Sequence, residues 1–254
     1  TEMSFMQDLH SHTYYSFCGK DSPYDIIETA RNGGITFFGI CDHAYGIAGQ
    51  RKGMPLNPDV NIRNNDFARK INAYCDHMTL IKEKYADRIR IAVGIEIPTI
   101  NEEYLYVPKG LDLSRFDYCL IEHLNDPCTH VTDITRFFEY AEQYGCKNIG
   151  IAHTDIPSLL QEQDVDELSF FSEMARRNIF WEMNVNFDSI HGYHEHEYVK
   201  RTLENPVLTE IIKKSGVKLS VGFDGHRVED YLPKRIINAN KKITKLGLPL
   251  VDFG

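Results

Sequence analysis

Seven short apolar runs, separated by longer amphipathic stretches, constrain the fold of this chain more than any other feature. The runs are Ser4–Leu9, Thr36–Cys41, Ile89–Ile95, Asp117–Ile121, Asn148–Ala152, Ile179–Met183 and Lys218–Gly222. They are continuous rather than alternating, the pattern of parallel strands covered on both faces. The stretches between them carry helix punctuation. Ser22-Pro23-Tyr24-Asp25 supplies an N-cap, a proline at the first helical position and a capping-box acid, and Gly33-Gly34 stops that helix. Asn61–Lys84 places Ile71, Tyr74, Met78 and Ile81 on one helical stripe. Thr132 opens a further helix that Gly145 closes. Asp164 with Glu167 caps another, and Asn205-Pro206 opens one that ends before Gly216. Strands alternating with helices predict an α/β protein with a parallel sheet closed as a barrel, a fold that uses about 250 residues. The chain has 254 residues and shows no repeat or linker, so residues 1–254 are expected to form a single domain.

Composition removes several classes of function. With 42% hydrophobic residues, 14 Tyr and 14 Phe, the chain can bury a core and is not disordered. No apolar run approaches the roughly 20 residues of a membrane helix. Thr1-Glu2-Met3-Ser4 has neither the basic nor the apolar region of a signal peptide. A formal net charge of -9 weighs against long nucleic acid as a partner. Six cysteines without a C-x-x-C pair suit a reducing compartment, and a cytoplasmic location is expected.

The chemistry lies at the end of each run. The first closes on Asp8-Leu9-His10-Ser11-His12, the second on Asp42-His43 and the third on Glu96. The fourth closes on Glu122-His123, the fifth on His153-Thr154-Asp155, the sixth on Asn184 and the seventh on Asp224-Gly225-His226. Six of seven strand ends thus present His, Asp or Glu at one edge, the edge where parallel α/β folds build active sites. One such histidine is more often an ordinary polar residue than a ligand; six agreeing ends are not. His10-x-His12 sets two imidazoles on one side of an extended segment. Imidazole with carboxylate suits Zn, Fe or Mn better than Ca or Mg. The number of donors exceeds the needs of one ion and predicts two or three divalent ions, Zn first among them, with Glu96 bridging. Asp8 and Asp42 are expected to orient ligand imidazoles.

Asp8-Leu9-His10-Ser11-His12-Thr13, Cys41-Asp42-His43, Gly94-Ile95-Glu96, His123, Ala152-His153 and Asp224-Gly225-His226 resemble the successive motifs of the PHP (polymerase and histidinol phosphatase) family. The resemblance runs from Asp8 to Tyr231. It implies a distorted (β/α)7 barrel with a trinuclear site at the C-terminal strand ends. One ion would take His10, His12, Glu96 and Asp224. A second would share Glu96 and take His123 and His153. A third would take His43 and His226 with a residue after the first strand. There the family usually has a histidine, and this chain has Cys18, whose thiolate is a competent zinc ligand. The chain looks most like the stand-alone histidinol-phosphatase branch, which implies hydrolysis of a small phosphate monoester by a hydroxide bridging two ions.

Glu96, His153, Asp224 and His226 are the expected catalytic residues, with His153 or His226, whichever is not fully occupied by metal, protonating the leaving oxygen. Arg51 and Arg227 are the expected phosphate contacts. His77 and His130 are read as structural, His191, His194 and His196 as members of a surface loop, and Phe180 and Trp181 as core. Two other enzyme classes fit less well. An amidohydrolase of similar shape often has a carboxylated lysine at a strand end, and none is present; a nuclease should carry a basic footprint. A degenerate scaffold should have lost several ligands, where this chain departs at one.

Overall fold

Every apolar run becomes a strand of one parallel sheet. The computed structural model describes residues 5–100 and 103–253, so Thr1-Glu2-Met3-Ser4, and with it the start of the first expected strand, lies outside the described residues. The strands are β1 (Gln7–Asp8), β2 (Phe37–His43), β3 (Arg90–Pro98), β4 (Tyr118–Glu122), β5 (Ile149–Ile151), β6 (Ile179–Asn184) and β7 (Leu219–Gly222). They pair in chain order, each pair parallel. The two ends of the sheet then meet. Leu9 N–H donates to the Val221 carbonyl at 2.8 Å and His12 N–H to that of Gly225 at 2.8 Å. Asp8 strengthens this seam: its carboxylate accepts the Phe223 N–H at 2.9 Å and the Tyr231 hydroxyl at 2.7 Å. The result is a nearly closed (β/α)7 barrel.

The helices are α1 (Pro23–Asn32), α2 (Ala44–Ile47), α3 (Val60–Tyr85), α4 (Phe137–Glu142), α5 (Ile156–Glu162), α6 (Glu167–Arg176), α7 (Glu197–Glu204), α8 (Pro206–Ser215) and α9 (Pro233–Lys245). Among the described residues the β3–β4 connection holds only a 3-10 turn, Glu103–Leu105, which is one source of the distortion. Ser22 and Asp25 form the expected capping box, Asn205 caps α8, and Gly216 ends it at φ 74°. Two caps differ from expectation. Asp166, not Asp164, caps α6, accepting the Ser169 N–H at 2.8 Å. Asp164 instead takes φ 54° in the preceding turn. Asp133 rather than Thr132 caps the 3-10 turn that leads into α4.

Two hydrophobic clusters hold the barrel. The outer one joins strand backs to helices; α3 contributes Phe67, Ile71, Tyr74, Met78, Ile81 and Tyr85 at three- and four-residue spacing. Burial of each such side chain is worth roughly 1.5–3 kcal/mol. The inner cluster fills the lower barrel with Leu9, Phe37, Tyr118, Leu120 and Phe180. The Phe253 ring closes the base, 5.1 Å from Tyr118. Tyr118 needs its neighbours to be glycine: a Cβ on Gly39 would lie 2.3 Å from its hydroxyl, and one on Gly94 2.4 Å from its ring.

Trp181 is core, as expected, its indole N–H donating to the Thr154 carbonyl at 2.9 Å. All six cysteines are free. Among the described residues no helix is long and apolar enough to cross a membrane.

Candidate metal centre

The strand period builds the site. Side chains two residues apart share a face, so the inner face of β3 reads Ala92, Gly94, Glu96, and that of β4 reads Tyr118, Leu120, Glu122. On β2 the series reaches His43 through Cys41, and on β6 Phe180 is followed by Glu182. In each strand an apolar lower level gives way to an ionisable group one level up. Register aligns them, with His43 directly beside Glu96 across β2–β3.

The strand-end motifs converge on this level. His10 Nε2 lies 3.1 Å from His12 Nε2, 3.1 Å from Glu96 Oε1 and 3.5 Å from Asp224 Oδ1. His12 Nε2 is 2.9 Å from Asp224 Oδ1 and 3.4 Å from Glu96 Oε2. On the other side of Glu96, His43 Nδ1 stands 2.9 Å from Oε2 and His153 Nε2 3.5 Å from Oε1. Glu122 lies 3.2 Å from His43 and 3.8 Å from His153. His123 Nδ1 approaches Glu122, at 3.3 Å, so Glu122 stands beside the imidazole that the resemblance pairs with Glu96. The His226 ring stacks on His12 at 4.3 Å. Cys18 is within hydrogen-bond reach of His226 and His43; burial opposes ionisation, but these two imidazoles bring its thiol down to about 7.

Three of these residues sit in left-handed backbone just past their strands: His123 at φ 66°, His153 at φ 24° and Asp224 at φ 53°. Such conformations cost about 1–3 kcal/mol each in a residue with a Cβ. Glycine would relieve that cost and remove the donor atom with it.

The outer contacts decide which nitrogen each imidazole offers. His10 Nδ1 meets Glu182 Oε1 at 2.7 Å. His12 Nδ1 meets Ser16 Oγ at 3.1 Å, and that hydroxyl already donates to Asp42 Oδ1 at 2.7 Å. His226 Nδ1 meets the Asp224 carbonyl at 2.8 Å. All three Nδ1 atoms therefore carry a proton, and Nε2 is the nitrogen each ring can offer to a cation. Glu182 also accepts the His153 N–H, at 2.7 Å through Oε2. A Cβ on Gly222 would lie 2.0 Å from Glu182 Oε1 and 2.7 Å from His10 Cβ, so the carboxylate needs glycine there.

These contacts agree with an orienting role for Asp42 and correct the one expected of Asp8. Asp42 acts on His12 through Ser16, and Asp8 holds strands rather than an imidazole. Glu182 is the direct orienter, and its only sequence signal is an acid inside an otherwise apolar run.

The donor set fits divalent ions. Glu96 Oε1 and Oε2, Glu122 Oε1, His43 Nδ1 and His123 Nδ1 are buried without hydrogen-bond partners. Buried polar atoms are seldom left so, and a cation among them would satisfy several at once. Three-donor groups that could hold an ion are His10–His12–Glu96, His12–His43–His226 and His43–Glu96–Glu122. The charge balance agrees. Burial alone would raise the Glu96 carboxyl, yet His10 and His43 hold it well below the usual range. Burial would lower His10, yet Glu182, Glu96 and Asp224 raise it well above the imidazole range. Burial, reinforced by His226 and His43, keeps His12 low.

Other expected residues fall elsewhere. Arg51 is exposed, and Arg227 lies 3.9 Å from Glu229. Among the described residues no hydrogen bond or ion pair joins either to the cluster. His77 bonds the Tyr15 hydroxyl at 2.9 Å, and His130 packs on Tyr140. His194 is exposed. His191 and His196, expected in a surface loop, reach the cluster: His191 Nε2 lies 3.4 Å from Asp224 Oδ2, and the His196 ring stacks over His153 at 6.0 Å. A cavity of about 950 Å³ lined by Tyr106, His130, Arg136 and Tyr140 includes none of the cluster, so the donor atoms, not cavity size, locate the site.

The family model of the PHP domain matches residues 8–226. No curated protein matches the chain by sequence. Among solved structures, the histidinol phosphate phosphatase of Lactococcus lactis, complexed with zinc, L-histidinol and phosphate, superposes with a TM-score of 0.54. It is 14% identical, over 97% of this chain and 95% of that one. A candidate histidinol phosphatase from Listeria monocytogenes is 16% identical over 96% and 93%, with a TM-score of 0.39. An amidohydrolase is 11% identical over 95% and 70%, with a TM-score of 0.47.

Proposed function

This chain belongs to the PHP domain family, and on that premise we propose that it is a divalent-metal-dependent phosphoesterase that hydrolyses a small phosphate monoester, with histidinol phosphate the first substrate to test. The observation that carries the reading is the pair of Nε2 atoms of His10 and His12, 3.1 Å apart, between Glu96 and Asp224. Two lone pairs that close repel unless a proton or a cation lies between them. The proposed ligands are His10, His12, Glu96 and Asp224 for one ion, Glu96, His123 and His153 for a second, and His43, His226 and Cys18 for a third. Glu122 is added as a neighbour of the second and third.

Imidazole and thiolate donors favour zinc, and the Lactococcus lactis enzyme, on a similar barrel, holds zinc with histidinol and phosphate. Divalent ions held by these donors supply Lewis acidity, lowering the pKa of a water molecule and offsetting charge on phosphoryl oxygens. The chain's own groups do the rest. Glu182, Ser16 and the Asp224 carbonyl fix the imidazoles; the buried floor of Tyr118 and Phe180 excludes bulk water from below. Of the two imidazoles considered as proton donors to the leaving alcohol, His153 is the more open, its side chain 18% exposed against 3% for His226. Arg227, next to His226 and with a buried Nε lacking a partner, is the proposed phosphate contact; Arg51 is the weaker candidate.

The test is metal content of the purified protein beside hydrolysis of a phosphoester panel that includes histidinol phosphate. Two or three ions per chain, with phosphate release abolished by chelation, is the expected result. A folded protein that takes up no Zn, Mn or Fe and stays inert with them overturns the reading.

A further inference from the structure

The rule that picks out His10 and His12, an imidazole whose Nδ1 is tied off and whose Nε2 faces a carboxylate, picks out one more side chain. His191 lies in the segment between β6 and α7, outside every motif that carries the family resemblance. Its Nδ1 meets Asp188 Oδ1 at 2.8 Å, and its main-chain N–H donates to the same oxygen at 2.9 Å. That oxygen is an acceptor, so Nδ1 carries a proton and Nε2 is the nitrogen turned towards the cluster. His191 Nε2 lies 3.4 Å from Asp224 Oδ2. Such a contact holds either a proton or a cation, and a divalent ion can displace the proton.

Asp188 adds a second, independent sign. It is fully buried, and its Oδ2 has no hydrogen-bond partner although it lies 3.7 Å from His226 Nδ1. Donor atoms of Asp188, His191 and His226 all fall within 4.8 Å of one another. The segment is anchored for the purpose: Asn186 donates to the Phe223 carbonyl at 2.9 Å, and its Oδ1 accepts the Asp188 N–H at 3.2 Å. An aspartate–histidine pair aimed at a cation is a recurrent way to fix the tautomer and raise the basicity of a ligand.

We propose that His191, oriented by Asp188, is an additional metal ligand at the Asp224–His226 edge of the centre. This rests on the metal-dependent reading above and deepens it: the edge that carries Cys18 in place of the family's usual histidine gains a nitrogen donor from a different loop. The ion it takes is a first-row divalent cation that accepts mixed nitrogen and oxygen ligands, Zn, Mn or Fe.

Chelator-stripped protein titrated with Co2+ and with Zn2+ tests this, with stoichiometry, affinity and the cobalt d–d spectrum as readouts. Wild type is compared with His191→Gln, Asp188→Asn and, as a control on the same loop, the exposed His194→Gln. The expected result is that His191→Gln loses one ion or binds one at least about 10-fold more weakly with an altered spectrum. Asp188→Asn should weaken the same ion within the roughly 10–100-fold range of outer contacts, and His194→Gln should match wild type. If His191→Gln and Asp188→Asn, both folded by circular dichroism, match wild type in all three readouts, the assignment of His191 fails while the metal centre stands. Wild-type protein that binds no ion overturns both. If His191→Gln does not fold, Asp188→Asn alone decides, by the same shift or its absence.

Discussion

The lower and upper halves of the barrel interior are built on the same strands, one side-chain level apart, and they obey opposite rules. Below, Leu9, Phe37, Tyr118, Phe180 and Phe253 fill space around glycines that leave no room for a Cβ. Above, His10, Glu96, Glu122, Glu182 and Asp224 are as deeply buried, yet both Glu96 oxygens and Glu122 Oε1 have no hydrogen-bond partner. The lower half is satisfied by packing alone. The upper half sets carboxylates against imidazoles whose pKa values burial would lower and those carboxylates raise. A buried polar level that the protein does not complete is a cost that function explains and stability does not.

Substituting one residue in each half puts this contrast at the greatest risk. Glu96→Ala should reduce turnover by on the order of 10^3-fold and remove bound metal. In the metal-free protein it should cost only the stability that Glu96 lends its neighbouring imidazoles, less than the loss at Tyr118. Tyr118→Ala should do the reverse at the level of stability, costing about 3–5 kcal/mol in denaturant unfolding, with metal stoichiometry unchanged at temperatures where it stays folded. Equal stability losses from the two would show that the upper half is a structural core after all.

A smaller effect locates the boundary between the halves. Gly222→Ala puts a methyl group where Glu182 Oε1 lies, 2.0 Å from the new Cβ. Displacing that carboxylate frees the His10 ring and the His153 amide together. Metal affinity should fall by about 10–100-fold, measured by competition with a chelating dye. Unaltered affinity would mean that Glu182 does not orient the centre.

The smallest effect is a pH dependence confined to the metal-free protein. Burial would lower His153, but Glu96 raises it to about 9. Burial would lower His226, but Asp188 and Asp224 raise it to about 10. Both lie above the free imidazole value of 6.5. Their contribution to folding is therefore complete below about 6.5, and it is lost as pH climbs through about 9 and about 10. The melting midpoint of stripped protein should fall across that window, while metal-loaded protein, whose imidazoles have exchanged protons for ions, should fall less. Parallel profiles for the two forms would contradict the exchange.

How much of the site is legible in the sequence depends on where each residue sits. His10, His12, His43, Glu96, His123, His153, Asp224 and His226 all follow or end apolar runs, and a strand period with a change of polarity at its end can be read from one sequence. Glu182 cannot be placed in that way. It lies among Ile179, Phe180, Trp181 and Met183, and a single acid inside a buried run looks like an interruption until Gly222 is seen to make room for it. The role of Asp8 is hidden for a related reason: its partners, Phe223 and Tyr231, are more than 200 residues away in the chain, and only barrel closure brings them near.

His191 marks the same division. Nothing local distinguishes it from His194, three residues on in the same polar stretch, yet one reaches Asp224 and the other is exposed. Periodicity and polarity are local properties of the chain, and they suffice for the alternation of strand and helix, the parallel sheet and the edge where the donors gather. They do not say which nitrogen each imidazole offers, which carboxylates orient and which ligate, or which loop histidine joins them. Those outcomes depend on distances between segments that are far apart in the chain and meet only in the folded barrel.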